Sequence, residues 1–242
     1  LSREEKPGIY SMANVKELLS SETQADISTY DTSVLSTAIS KISPDIVFHM
    51  AAQSLVIKSY EDPKDTVYSN VIGTYNILDL INKSDNTKSL IIATTDKVYR
   101  YPEKENKEEA ELGGSDFYSA TKSSAELLIS AFKNSSKNDN LNISVVRSGN
   151  VIGGGDRSEN RLMTDLITAL NNDKNFNLRM PESIRPWQYI LDSLHGYLLI
   201  AQENFEDEKS DIYNLNSKIN NDYNSQKIAE LMLKNWGTKN EI

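Results

Sequence analysis

A tyrosine and a lysine four residues apart, Tyr118 and Lys122, have the types and spacing best suited to chemistry in this sequence. Residues i and i+4 share one face of a helix, so the lysine ammonium would lie beside the phenol. A phenol with a pKa near ~10 accepts protons poorly at neutral pH unless a nearby cation stabilises the phenolate. The pair therefore predicts a tyrosine base, which is typical of oxidoreductases.

The residues upstream of this pair include a hydroxyl group that would work together with such a base. Ser89 to Thr94 is a largely apolar run typical of a buried strand, and Thr95 follows its end. Thr95 would hold a substrate hydroxyl by a hydrogen bond while Tyr118 takes its proton. Taken alone, a tyrosine and a lysine at this spacing more often form a solvated pair on a helix. The strand-end threonine and the flanking glycines favour the catalytic interpretation.

Composition excludes several kinds of protein and site. The 242 residues carry a net charge of -9, so the surface as a whole should repel nucleic acid and anionic membranes. The absence of cysteine excludes disulfides and cysteine-ligated zinc, and the two histidines, His49 and His195, argue against a histidine metal cluster. The apolar runs are too short to cross a bilayer, and the first residues lack the pattern of a signal peptide. We therefore expect a cytoplasmic protein without a metal site.

Short apolar runs alternate with longer segments of helical periodicity, the pattern of an α/β protein with a mostly parallel sheet covered on both faces. The predicted strands are Asp45 to Met50, Ser89 to Thr94, and Ile143 to Arg147. The predicted helices are Thr32 to Ile42, Pro63 to Ile81, and Asp116 to Lys133. The two longer helices are apolar beyond a single stripe, which suits either a deeper core or packing against a second copy of the chain.

A change of pattern after Asn150 divides the chain into two predicted regions, residues 1–150 and 151–242. The second region starts with a glycine-rich turn, Val151 to Asp156. It continues with predicted helices at 161–170, 194–201 and 225–236, an extended stretch at 185–190 and a strand at 212–215. In the first region, Tyr101 to Glu111 is charged and aperiodic, which predicts a mobile loop beside the active site.

Six segments resemble, in the same order, motifs of the extended short-chain dehydrogenase/reductases. Within that superfamily the resemblance is to the nucleotide-sugar 4,6-dehydratases, and most of all to those that act on CDP-glucose. The resemblance extends from about Asp26 to about Ala201, and the shared order is far more specific than any single segment. The segments are His49 to Gln53, Asn70 to Thr74, Thr94 to Lys97, Gly113 to Ser119, Gly149 to Asp156, and Ile184 to Gln188.

The resemblance implies a Rossmann-type doubly wound parallel sheet. Residues 1–150 would form part of an NAD-binding domain, and residues 151–242 part of a smaller substrate-binding region interleaved with the sheet. In the family, a glycine-rich turn after the first strand binds the cofactor pyrophosphate. No such turn precedes Asp26, and the triple glycine Gly153 to Gly155 comes too late. We therefore expect a chain that lacks the first βαβ unit and part of the substrate region, which would weaken NAD binding.

In the dehydratases that this chain resembles, NAD oxidises the sugar at C4, water is eliminated across C5 and C6, and the hydride returns to C6. The matching positions imply Tyr118 as the base for the 4-hydroxyl proton, Lys122 as its tuning cation and ribose ligand, and Thr95 as the group that orients the substrate. Asp96 matches the acid that protonates the departing C6 hydroxyl. Lys97 stands where the dTDP-glucose enzymes carry a glutamate base. As in the CDP-glucose enzymes, this lysine would either remove the C5 proton or stabilise the developing enolate.

Adjacent Asp96 and Lys97 also separate the dehydratases from the 4-epimerases of the same superfamily. Epimerases need only the reversible oxidation at C4, so an acid and a base directly after Thr95 would be idle there. The structural alternative for these two residues is a surface charge pair in the loop after the strand.

The resemblance further implies a set of residues that contact the cofactor along its length, from adenine to nicotinamide. One of them, Asn70, would either stabilise a backbone turn near the site or lie on a helix surface. His49, in contrast, is interpreted as a core residue. The predicted NAD-binding residues are Asp26, Ile27, Ala51, Ala52, Gln53, Asn70, Thr94, Tyr118, Lys122 and Ser148.

The predicted substrate contacts are Ser54, Asn150, Arg161, Arg185 and Gln188. Asn150 and Arg185 are the best candidates for the diphosphate, because a guanidinium presents a fork of donors that matches phosphate oxygens. Ser54 departs from the family, in which proline is usual at this position. The predicted partners are a nucleotide sugar and a second copy of the chain in a homodimer, with neither nucleic acid nor membrane.

The leading hypothesis is an NAD-dependent lyase that converts CDP-glucose to CDP-4-keto-6-deoxyglucose in deoxysugar synthesis. One alternative is a dehydratase or 4-epimerase that acts on another nucleotide sugar. Another is a non-catalytic fragment of such an enzyme, which keeps the fold and binds a partner or a nucleotide sugar without turnover.

Overall fold

A computed structural model of the protein describes residues 8–102, 105–217 and 223–237. The helices are α1 (Ile9–Met12), α2 (Ser33–Ile42), α3 (Val56–Glu61), α4 (Pro63–Val67), α5 (Gly73–Asn82), α6 (Phe117–Ser135), α7 (Leu162–Asn171), α8 (Ile190–Glu206) and α9 (Ser225–Trp236). The strands are β1 (Ile46–His49), β2 (Ser89–Thr95), β3 (Asn142–Ser148), β4 (Asn150–Ile152), β5 (Trp187–Tyr189) and β6 (Ile212–Leu215). Val15–Leu18 and Asp96–Val98 are 3₁₀ turns, and Tyr68–Ile72 is a π-helical turn. No helix in these ranges is long and apolar enough to cross a bilayer.

The described chain forms two compact units. The first contains residues 21–148 and 193–215, and the second contains residues 8–20, 149–192, 216–217 and 223–237, apart from the positions not described. Residues 193–215 lie after the predicted division at residue 150, yet they belong to the first unit, because β6 pairs with β3 and α8 packs on the sheet. The assignment of one region to the cofactor and the other to the substrate stays a prediction.

A four-stranded parallel sheet in the order β1-β2-β3-β6 is the centre of the first unit. Successive side chains of a strand point to opposite faces. Ile92 of β2 therefore packs with Leu78 of α5 and Ile129 of α6 on one face, whereas Ile91 packs with Tyr197 of α8 on the other. The predicted parallel sheet with helices on both faces is confirmed.

The helix predicted over Pro63 to Ile81 is interrupted in the structure. α4 ends at Val67 and α5 begins at Gly73, with the π-helical turn between them. Asn70 lies in this turn, and its side chain bonds the backbone of Gln53 outside the helix. Isolated π turns of this kind are frequent at functional sites. The other predicted strands and helices are present, with ends shifted by up to a few residues.

The segment between β2 and α6 contains no helix or strand in its described part after residue 98, as the sequence predicts, but two of its backbone carbonyls are bonded to side chains of the sheet. Arg147 of β3 donates to the Glu108 carbonyl oxygen at 2.8 Å, and Asn214 of β6 donates to the Asn106 carbonyl oxygen at 3.0 Å. The expectation of an unpacked loop over residues 101–111 is therefore wrong around these two positions. Donors on the neighbouring strands, which the local sequence does not reveal, hold this backbone.

The second unit contains a parallel pair of short strands and two packed helices. In the pair, Asn150 of β4 is opposite Trp187 of β5. Gly153 directly follows β4, and a Cβ at this position would lie 2.6 Å from the Ile190 side chain. α7 and α9 share a small core that includes Leu166 and Ala229.

Candidate active site

The carboxyl ends of three parallel strands gather many of the predicted cofactor and catalytic residues at one edge of the sheet. Ala51 to Gln53 follow β1, Thr94 and Thr95 end β2, and Ser148 ends β3. Thr95 and Ser148 are register partners on adjacent strands. Ligands of open parallel sheets bind at this edge. The topology therefore brings these residues together.

Thr95 caps the 3₁₀ turn that carries Asp96 and Lys97. Thr95 is 4% exposed, and its Oγ1 accepts a hydrogen bond from the Lys97 backbone N–H at 3.4 Å and donates one to Asp96 Oδ1 at 3.2 Å. This turn presents a hydroxyl, a carboxylate and an ammonium on consecutive residues. In the described part of the chain, no group of three or more His, Asp or Glu side chains is arranged to hold a metal ion.

Local sequence determines where α6 begins and therefore where Tyr118 lies. Asp116 Oδ1 accepts from the Ser119 N–H at 2.9 Å, and Ser119 Oγ accepts from the Asp116 N–H at 3.2 Å, which completes a capping box. Gly114 lies against this first turn, where a Cβ would be 2.4 Å from the Ala120 nitrogen. Tyr118, in the same turn, is 8% exposed.

Lys122 lies one turn after Tyr118 and is 7% exposed. Its Nζ donates to the Ala93 carbonyl oxygen of β2 at 2.9 Å. α6 connects the parallel strands β2 and β3 and so runs antiparallel to them, which places Tyr118 beyond Ala93 in the direction of Thr95. Burial lowers the pKa of Lys122 to about 8, and the Glu126 carboxylate opposes that shift. A lysine with this pKa is mostly charged at neutral pH, and its stabilisation of a Tyr118 phenolate stays a prediction.

Asn70 is 1% exposed and so does not lie on a helix surface. Its Oδ1 accepts from the Gln53 N–H at 2.9 Å, and its Nδ2 donates to the Gln53 carbonyl oxygen at 3.1 Å and to Thr121 Oγ1 at 3.0 Å. These bonds tie the segment after β1 to α6. Of the two interpretations of Asn70, the structure supports the stabilised backbone turn, while direct contact with a cofactor stays a prediction.

His49 is buried at the end of β1, as its interpretation as a core residue requires. Its Nε2 lies 3.1 Å from Thr74 Oγ1, and that hydroxyl donates to the Asn70 carbonyl oxygen at 2.7 Å. Because a hydroxyl has one hydrogen, His49 Nε2 must be the donor to Thr74. Burial, together with the Lys122 ammonium, lowers the pKa of His49 to about 3. The imidazole is therefore neutral at physiological pH.

Asp26 and Ile27 precede α2 and are fixed by local and long-range bonds. Asp26 Oδ1 accepts from the Ser28 N–H at 2.9 Å and from Ser28 Oγ at 2.6 Å. Ile27 is buried and packs on Gly73, where a Cβ would come within 2.8 Å of the isoleucine side chain. Asn76 of α5 donates to the Ile27 carbonyl oxygen at 2.8 Å. The contact of this pair with adenine stays a prediction.

The predicted substrate residues are divided between the two units. Ser54 is exposed in the first unit, directly after Gln53. The remaining four belong to the second unit: Asn150 on β4, Gln188 on the adjacent β5, Arg185 two residues before β5, and Arg161 at the start of α7. Arg161 lies 3.6 Å from the Asp156 carboxylate. Of these four, β-pairing brings Asn150 and Gln188 onto neighbouring strands.

The sequence interpretation missed a buried ion pair between Glu126 of α6 and Arg147 of β3. Arg147 Nη2 lies 2.6 Å from Glu126 Oε2, and Thr94 Oγ1 donates to the other carboxylate oxygen at 2.7 Å. A signal for it existed, because Tyr118, Lys122 and Glu126 recur every four residues on one helix face. The arginine partner on a later strand had no such local signal.

Residues 5–215 match the NAD dependent epimerase/dehydratase family. The chain is 35% identical to a CDP-glucose 4,6-dehydratase from Salmonella typhimurium, over 96% of this chain. The match covers 66% of that enzyme, so the chain spans just under two thirds of its length.

Two solved structures share the fold. A UDP-glucuronic acid 4-epimerase from Bacillus cereus, in complex with UDP-glucuronic acid and NAD, has a TM-score of 0.80 at 20% identity and matches 96% of this chain and 72% of its own. A dTDP-glucose 4,6-dehydratase from Streptomyces venezuelae with NAD bound has a TM-score of 0.75 at 20% identity, over 90% of this chain and 65% of its own. The predicted Rossmann-type fold is confirmed.

Proposed function

Because the chain belongs to the NAD dependent epimerase/dehydratase family, we propose that it is a lyase that dehydrates CDP-glucose to CDP-4-keto-6-deoxyglucose. The observation that carries this proposal is the sequence Thr95-Asp96-Lys97 in one turn at the carboxyl edge of the sheet. A 4-epimerase would use the threonine alone, whereas elimination of water needs an acid and a group that handles the C5 proton. The 35% identity to the Salmonella CDP-glucose 4,6-dehydratase supports the same substrate.

Lys122 is the residue whose surroundings best fit an NAD cofactor. Its buried ammonium has one hydrogen-bond acceptor among the described residues, the Ala93 carbonyl oxygen, so two of its N–H groups are available to ribose hydroxyls. Small residues, Ala51 and Ala52, leave room for a cofactor at the end of β1. When bound, NAD would accept a hydride from C4 of the sugar and return it to C6.

The first chemical step that we assign to the chain is removal of the 4-hydroxyl proton. Thr95 Oγ1 would orient that hydroxyl, and Tyr118 would take the proton as a phenolate stabilised by the Lys122 ammonium. In the elimination step, the C5 proton leaves and the C6–O bond breaks while Asp96 protonates the departing hydroxyl, which gives water. Lys97 would either accept the C5 proton or stabilise the enolate that its loss creates.

The remaining assignments of the site belong to the same proposal. Asn150 and Arg185 would bind the diphosphate, with Ser54, Arg161 and Gln188 contributing to the nucleotide-sugar site. The protein would act in the cytoplasm as a homodimer. Exposed apolar side chains on the helices predicted to form the interface, Tyr75 of α5 and Leu127 of α6, support that arrangement.

The test is to incubate the purified protein with NAD and, separately, CDP-, dTDP-, GDP- and UDP-glucose, and to follow the products by mass spectrometry and NMR. Loss of one water from CDP-glucose, with a 4-keto-6-deoxy product and no such loss in Tyr118→Phe, is expected. Activity only with UDP-glucose that yields a 4-epimer would overturn the proposal. Failure to turn over any of these sugars, together with failure to bind NAD in calorimetry, would favour a non-catalytic role.

A further inference from the structure

The buried Glu126–Arg147 pair has no role in the reaction as proposed, yet it lies beside the site. Both side chains are 2% exposed, and Arg147 donates to both carboxylate oxygens. A buried ion pair offers little net stability, because the cost of removing both charges from water offsets their attraction. The bonds that the pair makes to other groups therefore indicate its use.

The pair holds both ends of the segment that carries the proposed catalytic residues. Before the segment, Thr94 Oγ1 donates to Glu126 Oε1 at 2.7 Å. After it, Arg147 Nη1 donates to the Tyr99 hydroxyl oxygen at 2.9 Å. Residues 95–97 lie between these two anchors.

Two further hydrogen bonds hold the end of this segment, at Val98 and Tyr99. The Tyr99 hydroxyl donates to Asn214 Oδ1 of β6 at 2.5 Å. Ser123 Oγ of α6 donates to the Val98 carbonyl oxygen at 3.0 Å. The segment is therefore braced by α6, β3 and β6 together.

We propose that the Glu126–Arg147 pair is the positioning unit of the active site, which fixes residues 95–97 relative to Tyr118. This inference rests on the proposed function, because it assigns the acid and the base of that reaction to the two parts that the pair connects. α6 carries both Tyr118 and Glu126, so a bond from Glu126 to Thr94 places the tyrosine base and the 95–97 turn in one rigid frame. Small displacements of reacting groups lower the rate by large factors. Correct positioning would therefore offset the free-energy cost of burying the two charges.

Two substitutions each remove one anchor and leave the ion pair intact. Thr94→Val removes the hydroxyl that binds Glu126, and Tyr99→Phe removes the hydroxyl that binds Arg147. We expect each to lower kcat about tenfold or more with KM for the sugar changed by less than about twofold. Thr94→Val loses one buried hydrogen bond and Tyr99→Phe loses two, while the residues proposed to bind the sugar nucleotide remain. Amide hydrogen exchange of peptides that cover residues 94–99 should become faster in both variants.

Matched controls separate positioning from a general loss of structure. Tyr60→Phe, at a 60% exposed position of α3, and Thr37→Val on α2 make the same chemical changes away from Thr94 and Tyr99, and should leave kcat and the exchange of residues 94–99 unchanged. Because Thr94 is also a predicted cofactor contact, the rescue is measured by exchange: Thr94→Ser restores the hydroxyl and should return the exchange of residues 94–99 to the wild-type rate. If exchange in Thr94→Ser is as fast as in Thr94→Val, the hydroxyl is not the anchor and the proposal is overturned.

The exchange measurement keeps this inference distinguishable from the proposed function. If the wild type turns over no nucleotide sugar, the proposed function fails, whereas exchange in Thr94→Val and Tyr99→Phe still tests the frame. Unchanged exchange over residues 94–99 in both variants overturns the positioning role, whatever the enzyme's substrate. Faster exchange together with a lower kcat supports it.

Discussion

The Lys122 ammonium of α6 lies 2.9 Å from the Ala93 carbonyl oxygen of β2 and is almost fully buried. This bond fixes the helix that carries Tyr118 to the strand that ends in Thr95. Burial of a cation disfavours its charged form and so opposes folding. The proposed function accounts for this cost, because it assigns to the charge the stabilisation of a Tyr118 phenolate.

Lys122→Met removes the buried charge and keeps much of the side-chain volume. Burial lowers the pKa of Lys122 from 10.5 to about 8, so the unfolded chain binds more protons between these pH values and wild-type stability rises with pH across this window. Below pH 8 the shift costs about 3 kcal/mol. We expect the variant to be more stable than wild type at pH 7 by about 1–3 kcal/mol. Its advantage should shrink towards pH 10.5 in urea unfolding, and its kcat should fall at least about a hundredfold.

Lys83→Met, which replaces an exposed lysine, is the control for that experiment. This substitution should leave kcat unchanged, and urea unfolding of Lys122→Met and wild type is compared at pH 8 and pH 10.5. A Lys122→Met variant whose stability advantage is the same at both ends of that window would contradict burial of the charge.

His49→Gln should reduce the acid sensitivity of the fold. The pKa of His49 is lowered from 6.5 to about 3 by burial and by the Lys122 ammonium. Its stabilising contribution is therefore present above pH 6.5 and lost as the pH falls towards 3. Between pH 7 and pH 3, wild type should lose about 5 kcal/mol more than the variant, as measured by denaturant unfolding. An equal decrease in the free energy of unfolding in both proteins would show that this imidazole is accessible to protons. His195→Gln, at an exposed site, is the control.

Asp96→Asn should remove the acid of the elimination step and leave substrate binding largely intact. We expect kcat for loss of water to fall about a hundredfold or more, with KM changed by less than about threefold. Asp79→Asn, on the surface of α5, should behave as wild type. Retention of full dehydration by Asp96→Asn would assign the proton donor to another group.

Leu127→Lys should weaken the proposed homodimer. Leu127 is 60% exposed on α6, and a charge there would oppose burial of this face against a second copy. Light scattering coupled to size-exclusion chromatography should show a dimeric wild type and a largely monomeric variant at micromolar concentration. Leu198 of α8 is equally exposed, at 61%, and Leu198→Lys should stay dimeric. The reverse pattern would place the interface on α8.

Much of the fold and part of the site follow from local sequence. The strand and helix periods predict a parallel sheet with helices on both faces. The start of α6 follows from Asp116 and Ser119, and the spacing of Tyr118 and Lys122 places both on one helix face. These features depend on neighbours within a few residues, which is why sequence patterns reveal them.

The sequence by itself thus determined which residues stand at the strand ends and at the start of α6. Only the tertiary structure decided that Asn70 turns inward to Gln53, that Arg147 pairs with Glu126, and that the Tyr99 hydroxyl reaches Asn214, 115 residues away in the chain. A carboxylate or an amide on a helix has the same local pattern whether it is solvated or buried. Its partner depends on which strands become neighbours and in which register, and that is set by packing of the whole unit.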